Sequence, residues 1–310
     1  MQARDSYTNI GRCHARFTLS LPVGVQSCGV GVLPLLFEFT YVYMENANNV
    51  VFQQTNTPSW YCLNGGMVSV DNTACQCVDG YVGDHCERLM EDCDEGIASG
   101  HYPGMSGVYW IHPPTSPTPF TVHCNYMVRH FIHMRYDADV DFNVTMAEYV
   151  TGFGDMMGDF WLGLEKLHLL TSSRHYTLGV QVSNFSEVYQ HYYRRFVVKS
   201  AAEGYAMTFD TQYLPQAPAL PMSDCLAPLK DIPFSAYDND NDGNTTRNCA
   251  ADYGGGWWYN ADCSECNLMG TLRWSSLTRV PGAVDEVFWN PGLDPTFSPS
   301  NSWMFLFRTP

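Results

Sequence analysis

The stretch Tyr237–Asn267 constrains this 310-residue chain more than any other. It opens with Tyr237-Asp238-Asn239-Asp240-Asn241-Asp242-Gly243, where side-chain oxygens alternate along a segment that ends in glycine. A tight loop of this composition aims several hard ligands at one point, and backbone carbonyls can complete the shell of a large cation that accepts roughly six to eight oxygens. That is calcium chemistry. The opening also fits the start of an EF-hand loop, but the twelfth position counted from Asp238 is Cys249 rather than a bidentate glutamate, which argues against an EF-hand. Beyond the loop come Asn248-Cys249, the run Gly254-Gly255-Gly256, Trp257-Trp258-Tyr259, Cys263 and Asn267-Leu268.

Charge and cysteines narrow the class. A formal net charge of −16 with no Lys/Arg cluster argues against nucleic acid, because phosphate binding needs a basic footprint. Twelve cysteines, several at spacings typical of bridges, point to an oxidising compartment and so to a secreted chain. Asn143-Val144-Thr145, Asn184-Phe185-Ser186 and Asn244-Thr245-Thr246 are then glycosylation acceptors. The length allows one sizeable core plus a small module. With no G-x-S-x-G, H-E-x-x-H or phosphate-binding glycine loop, the chain does not read as an enzyme. His130 and His133 could share a helix face and bind a metal, but scattered histidines are more often packed or surface residues.

Residues 1–44 hold a basic start and the run Leu19–Phe37, which lacks charged residues and approaches the length of a membrane span. Three readings stay open: a signal peptide, a type II signal anchor that would leave the chain membrane-attached, or a wrongly assigned start. Residues 45–60 read as a polar linker, and no heptads mark a coiled coil.

Cys62-Leu63-Asn64-Gly65-Gly66, followed by Cys75-Gln76-Cys77 and Gly80-Tyr81-Val82-Gly83-Asp84-His85-Cys86, resembles the second half of an EGF-like domain. The resemblance implies a small disulfide-rich module over residues 61–88 with the pairs Cys62–Cys75 and Cys77–Cys86. The third family cysteine falls at Val68 and the first is absent, so one bridge is missing altogether. A module with so little core leans on its staples, and the neighbouring domain is expected to order it.

The acidic loop, Cys249, the glycine run, the tryptophan pair and Cys263 together resemble the calcium and ligand-binding part of a fibrinogen-related domain. The resemblance extends over 89–310, through Gly107–Ile111, Phe120–Cys124, Gly158–Leu164 and the closing Ser302–Pro310. It implies an α+β fold of the fibrinogen C-terminal type: a globular domain with a central antiparallel sheet and a loop-rich calcium and ligand subdomain. The first bridge would be Cys93–Cys124, and Cys249–Cys263 would be the second. Cys225 and Cys266 are additional; they join each other most simply, although Cys249–Cys266 with Cys225–Cys263 stays open. One departure stands out, because Cys124–Phe131 lacks the family's glycine-rich turn ending in Gly-Trp-Thr. The strand pair is expected to splay there or to be rerouted.

The resemblance also implies a site. Calcium would be held by Asp240 and Asp242 with the carbonyls of Asn244 and Thr246, while Asp238 would lie outside the shell and steady the turn. The ligand pocket would use Tyr253, Asp262, Cys263, Ser264, Trp274 and Phe288. Here Ser264 stands where the family often has histidine, and Asp262 adds a negative charge that repels carboxylates. The implied function is extracellular calcium-dependent recognition by a lectin-like, innate-immune binder of acetylated or other surface glycans, strengthened by multivalency in a homo-oligomer. The alternative is an extracellular matrix or receptor-ligand protein whose rim engages a protein partner.

Overall fold

The computed structural model describes residues 61–127, 129–213, 219–272, 280 and 282–309. The expected leader and linker lie outside the described residues, among which no helix is long and apolar enough to cross a membrane. The chain divides into two units, one of Met1–Tyr61 with Val68–Ala74 and one of Cys62–Met67 with Cys75–Pro310. In the first, Val68–Ala74 forms a polar turn closed by Ser69, whose amide donates to Ala74 O at 2.9 Å and whose hydroxyl accepts from the Ala74 amide at 3.1 Å.

The second unit carries helices α1 (Cys93–Ala98), α2 (Met146–Thr151), α3 (Leu164–Ser173) and α4 (Cys249–Tyr253). Its principal strands are β1 (Ser106–Ile111), β2 (Phe120–Asn125), β3 (Arg129–Arg135), β4 (Phe160–Trp161), β5 (Tyr176–Ser183), β6 (Val188–Val198), β7 (Met207–Thr208), β8 (Cys266–Asn267), β9 (Phe288–Trp289) and β10 (Asn301–Arg308). The central sheet runs β7-β6-β5-β10-β3-β2-β1 with antiparallel neighbours throughout. The last strand in sequence is therefore the middle one in space. Along β5 the alternating Leu178, Val180 and Val182 are buried, and Leu306 and Met304 of β10 stand opposite the first two. Gly179 between them accommodates the ring of Phe305, which a Cβ would meet at 2.3 Å.

Helix α3 buries Leu164, Leu167 and Leu170, a spacing that keeps them on one helical face. Its Thr171 hydroxyl accepts from the Val198 amide at 3.0 Å, tying it to β6. Helix α2 begins with a capping box, Thr145 and Glu148 each satisfying the other's amide. Tyr149 of α2, Trp161 of β4, Phe234 and Trp258 form an aromatic cluster with ring centroids between 5.0 and 6.4 Å apart.

The exposed edge of β1 is covered by its own chain. Trp110 N donates to Asp79 O, Met90 bridges Ile111, and Gly80 N donates to the Tyr102 hydroxyl. An unpaired sheet edge is a template for aggregation, and here residues 79–90 occupy it. The structure has the bridges Cys62–Cys75, Cys77–Cys86, Cys93–Cys124, Cys225–Cys266 and Cys249–Cys263. The pairing left open for Cys225 and Cys266 is thus the one that joins them.

Two expectations need correction. The shortened segment after Cys124 does not splay the sheet, because β2 and β3 pair directly through His123 with Phe131, Cys124 with His130 and Asn125 with Arg129. Arg129 takes a positive φ of 73° and its guanidinium reaches Tyr126 O, so a tight turn needs no glycine. His130 and His133 lie on strand β3 rather than a helix, and a register shift at Ile132 sets them opposite Leu306 and Met304 of β10, on one face of the sheet. Both are buried, His130 Nε2 accepting from the Cys93 amide at 2.8 Å and His133 Nε2 lying 3.1 Å from Ser302 Oγ.

Candidate functional site

The acidic loop is anchored at its base and side. Ser235 and Trp257 exchange backbone hydrogen bonds of 2.8 and 3.0 Å, and the Ser235 hydroxyl accepts from the Asn241 amide at 2.9 Å. Asn241 Nδ2 donates to Phe234 O. Asp238 Oδ1 accepts from the amide of Met146, the first residue of α2, at 2.8 Å. That amide is one of the donors a helix leaves unpaired, and a carboxylate there also suits the helix dipole. Asp238 therefore steadies the loop from outside.

Within the loop, Asp240 Oδ1 accepts from the Asp242 amide at 3.2 Å, so the first carboxylate folds toward the second. Asp242 is 3% exposed. Its Oδ1 accepts from Asn244 N at 2.6 Å and its Oδ2 from Cys249 N at 2.8 Å, which organises the loop around one buried carboxylate. The Asn244 side-chain oxygen accepts from Thr246 N, the Thr246 hydroxyl and Arg247 N, while its Nδ2 donates to Ala261 O at 2.8 Å. Among the described residues, Asp240 Oδ2 and the main-chain carbonyls of Asn244 and Thr246 accept no hydrogen bond. Free oxygens of this kind, on the same loop as a fixed carboxylate, are the hard donors that calcium takes.

The second half forms a rim. Asn260 and Cys263 exchange backbone hydrogen bonds of 2.8 and 3.1 Å, and Asn260 Oδ1 accepts from the Asp262 amide. Cys263 sits at φ 65°, a left-handed conformation that costs a non-glycine residue energy and is held by its disulfide to Cys249. Tyr253 donates its hydroxyl to Ser264 O at 3.1 Å, and its ring packs 5.1 Å from Tyr259 and 6.1 Å from Phe288. Burial pushes the Tyr259 phenol well up, and its hydroxyl donates to Gly255 O.

Of the expected pocket residues, Tyr253, Cys263, Ser264 and Phe288 are thus brought together, and Asp262 stands exposed beside them. Trp274 lies outside the described residues. Tyr253 is only 6% exposed and Phe288 2%, so their rings support the rim more than they face solvent. Trp257 and Trp258 are fully buried packing residues, with Trp258 Nε1 donating to Tyr205 O. The reading of the sequence missed Asn267. Buried in β8, it donates to Tyr253 O and Val284 O and accepts from the amides of Met269 and Gly270. Only its place after the second cysteine hinted at a role.

A family described as fibrinogen beta and gamma chains, C-terminal globular domain, matches residues 89–304. The chain belongs to this family. Protein scabrous of Drosophila melanogaster is 35% identical over 197 residues, covering 62% of this chain and 23% of that protein. This chain spans about a quarter of the length of such curated relatives, fibrinogen alpha chains of mouse, rat and human among them. The fibrinogen-like globe domain of human ANGPTL6 superposes with a TM-score of 0.64 at 27% identity, covering 76% of this chain and 100% of that one. The globe domain of human ANGPTL2 gives 0.64 at 26%, covering 71% and 100%.

Among the described residues, the group of His, Cys, Asp and Glu side chains whose ligand atoms all lie within 4.8 Å of one another is Asp92, Asp94 and His130, away from the acidic loop. Its atoms are already engaged. Asp92 Oδ2 accepts from the Tyr176 hydroxyl and from Arg308 Nε at 2.8 Å, and Asp94 accepts from Arg129 Nε and Arg308 N. Burial alone would raise the Asp92 pKa, but His130, Arg308 and Tyr176 outweigh it and hold the carboxyl below its ordinary value. The cluster clasps the central strand β10 to the start of α1, and Arg308 is a structural anchor.

Proposed function

We propose that this chain is a secreted, calcium-dependent recognition protein that acts by binding rather than catalysis. In this reading residues 61–88 form a degenerate EGF-like module ahead of a fibrinogen-like domain over 89–310. Asp240 and Asp242, with the carbonyls of Asn244 and Thr246, hold calcium, which supplies neutralising charge and rigidity to the loop. The rim of Tyr253, Asp262, Cys263 and Ser264, with Phe288 beneath it and Trp274 contributing, binds acetylated or other surface glycans in the manner of an innate-immune lectin, with avidity from a homo-oligomer.

One observation carries the reading: Asp242 holds the amide of Cys249, and Cys249 is bonded to Cys263. Whatever sits on the loop carboxylates is thereby linked to the rim through Cys249. The burial of Tyr253 and Phe288 favours a second reading, in which the rim engages an extracellular protein partner, since little aromatic surface is left to stack on a sugar.

A glycan array probed with and without chelator, using wild type and Asp240→Ala, tests both. Binding lost in chelator and in the variant supports the calcium-dependent lectin. Full binding in both would remove calcium from recognition, and an empty array with calcium-dependent capture of a protein would favour the second reading.

A further inference from the structure

We propose a second binding site, in the cleft beside the 201–205 turn, which takes an arginine or lysine side chain presented by an extended segment of a partner protein. The cleft has a volume of about 600 Å³. Four parts of the chain line it: the 201–205 turn, Pro233, Asn239 with Asn241 of the acidic loop, and Met146 at the start of α2. None of these residues belongs to the rim around Cys263.

The site is built before any ligand arrives. Phe234 N donates to Gly204 O at 2.9 Å, Asn239 exchanges two 3.0 Å backbone hydrogen bonds with Ala236, and Asn241 Nδ2 donates to Asn239 Oδ1 at 2.8 Å. The Met146 amide is fixed by Asp238. Lining segments held this way need little ordering on binding, which lowers the cost of association.

Its chemistry selects a cation with an aliphatic stem. Met146, Ala201, Ala202 and Pro233 offer apolar surface, and Glu203 is the charged side chain of the lining. Glu203 Oε2 accepts from the Ser200 hydroxyl at 2.9 Å and, more weakly, from its amide, and these bonds hold the carboxyl below its ordinary range. Among the described residues, Oε1 accepts no hydrogen bond. The basic side chains nearest Glu203 are committed elsewhere: Lys199 lies 3.0 Å from Asp231, and His168 Nδ1 lies 3.0 Å from Val198 O. With Asp238 beside Asn239 and a formal net charge of −16, an anion is repelled and a basic segment attracted. Asn239 Nδ2 and Asn241 Oδ1 remain to pair with the main chain of that segment, as extended peptides require.

Methyl-¹³C-methionine NMR of the full chain reads the site directly, with the Met146 signal assigned from Met146→Leu. The probe is acetyl-Ala-Leu-Arg-Leu-Ala-amide, and its citrulline analogue keeps the shape but not the charge. Saturable movement of the Met146 signal by the arginine peptide is expected, with affinity at least about fivefold weaker for citrulline and for Glu203→Gln, which retains the capping geometry. A Met146 signal that stays still, that responds equally to both peptides or in the variant, or that moves instead with N-acetylglucosamine would overturn the proposal. A negative glycan array would not touch it, because the rim takes no part.

Discussion

The amide of Cys249 donates to Asp242 Oδ2 at 2.8 Å while the sulfur of Cys249 is bonded to Cys263. Cys249 is also the first residue of α4, so the carboxylate satisfies a donor the helix cannot pair internally. One residue thus belongs at once to the acidic loop, a helix start and the strained turn of the rim. Asn244 makes a parallel link through Ala261 O.

Removing Asp242 should therefore destabilise and uncouple together. Asp242→Ala leaves the amides of Asn244 and Cys249 without their acceptor, at a cost of about 1–3 kcal/mol for the buried Cys249 amide and less for the half-buried Asn244. By calorimetry, the wild-type melting temperature should fall on adding chelator, since a ligand of the native state stabilises it by mass action. Asp240→Ala should abolish that chelator response at little intrinsic cost, because Asp240 is exposed. A wild-type melting temperature indifferent to calcium and chelator would contradict the ion assignment.

The three glycosylation triplets should not behave alike. Asn143 is exposed, and Asn184 Oδ1 closes a local turn with Ser186 without engaging its Nδ2 among the described residues. Asn244 Nδ2 instead donates to Ala261 O. Mass spectrometry of secreted protein should find glycans on Asn143 and Asn184 and an unmodified Asn244. Full occupancy of Asn244 would mean that the link to Ala261 is dispensable.

Acid should weaken the domain through His133. Burial, and secondarily the neighbouring Arg135, push its pKa well below the ordinary 6.5. The unfolded chain then binds the proton first, so stability is complete above about pH 6.5 and falls by about 1.4 kcal/mol per pH unit below it until the folded pKa is reached. Urea unfolding at pH 7.5 and 5.5 should show a smaller loss in His133→Gln than in wild type. His123, also pushed down by burial, leaves a residual slope in both. Identical slopes would rule His133 out as a source.

Asn267→Ala should be among the costlier polar substitutions. It strands the amides of Met269 and Gly270 and frees the Tyr253 and Val284 carbonyls in a buried site, for a loss on the order of 2–5 kcal/mol. Denaturant midpoints measure this, and a loss under about 0.5 kcal/mol, typical of a surface position, would contradict the assigned role.

Much of the architecture was legible because the motifs are local. The first two strands, the half EGF-like cysteine pattern and the order of acidic loop, cysteine, glycines and second cysteine each lie within a short span of chain. The hairpin after Cys124 was misjudged for a related reason, since Arg129 supplies by its own backbone what glycine usually supplies, and residue type alone does not reveal that. The histidines of β3 were read on the wrong periodicity, because a short apolar run suits helix and strand equally. Asn267 was opaque, as the Tyr253 and Val284 carbonyls that its amide nitrogen meets come from segments distant in the chain.

Residue order alone determined which atoms this protein has for binding: two loop carboxylates, the oxygens around them and cysteines at bridging intervals. Those are properties of neighbours along the chain, which covalent spacing holds close whatever the rest does. The tertiary structure decided which groups remain available. It buried Tyr253, Phe288 and the tryptophan pair, committed Asp92, Asp94 and His130 to clasping the central strand, and drew Glu203 to the same cleft as Asn239. Availability depends on burial and competing hydrogen bonds between segments far apart in sequence, and these are settled only when the chain has packed.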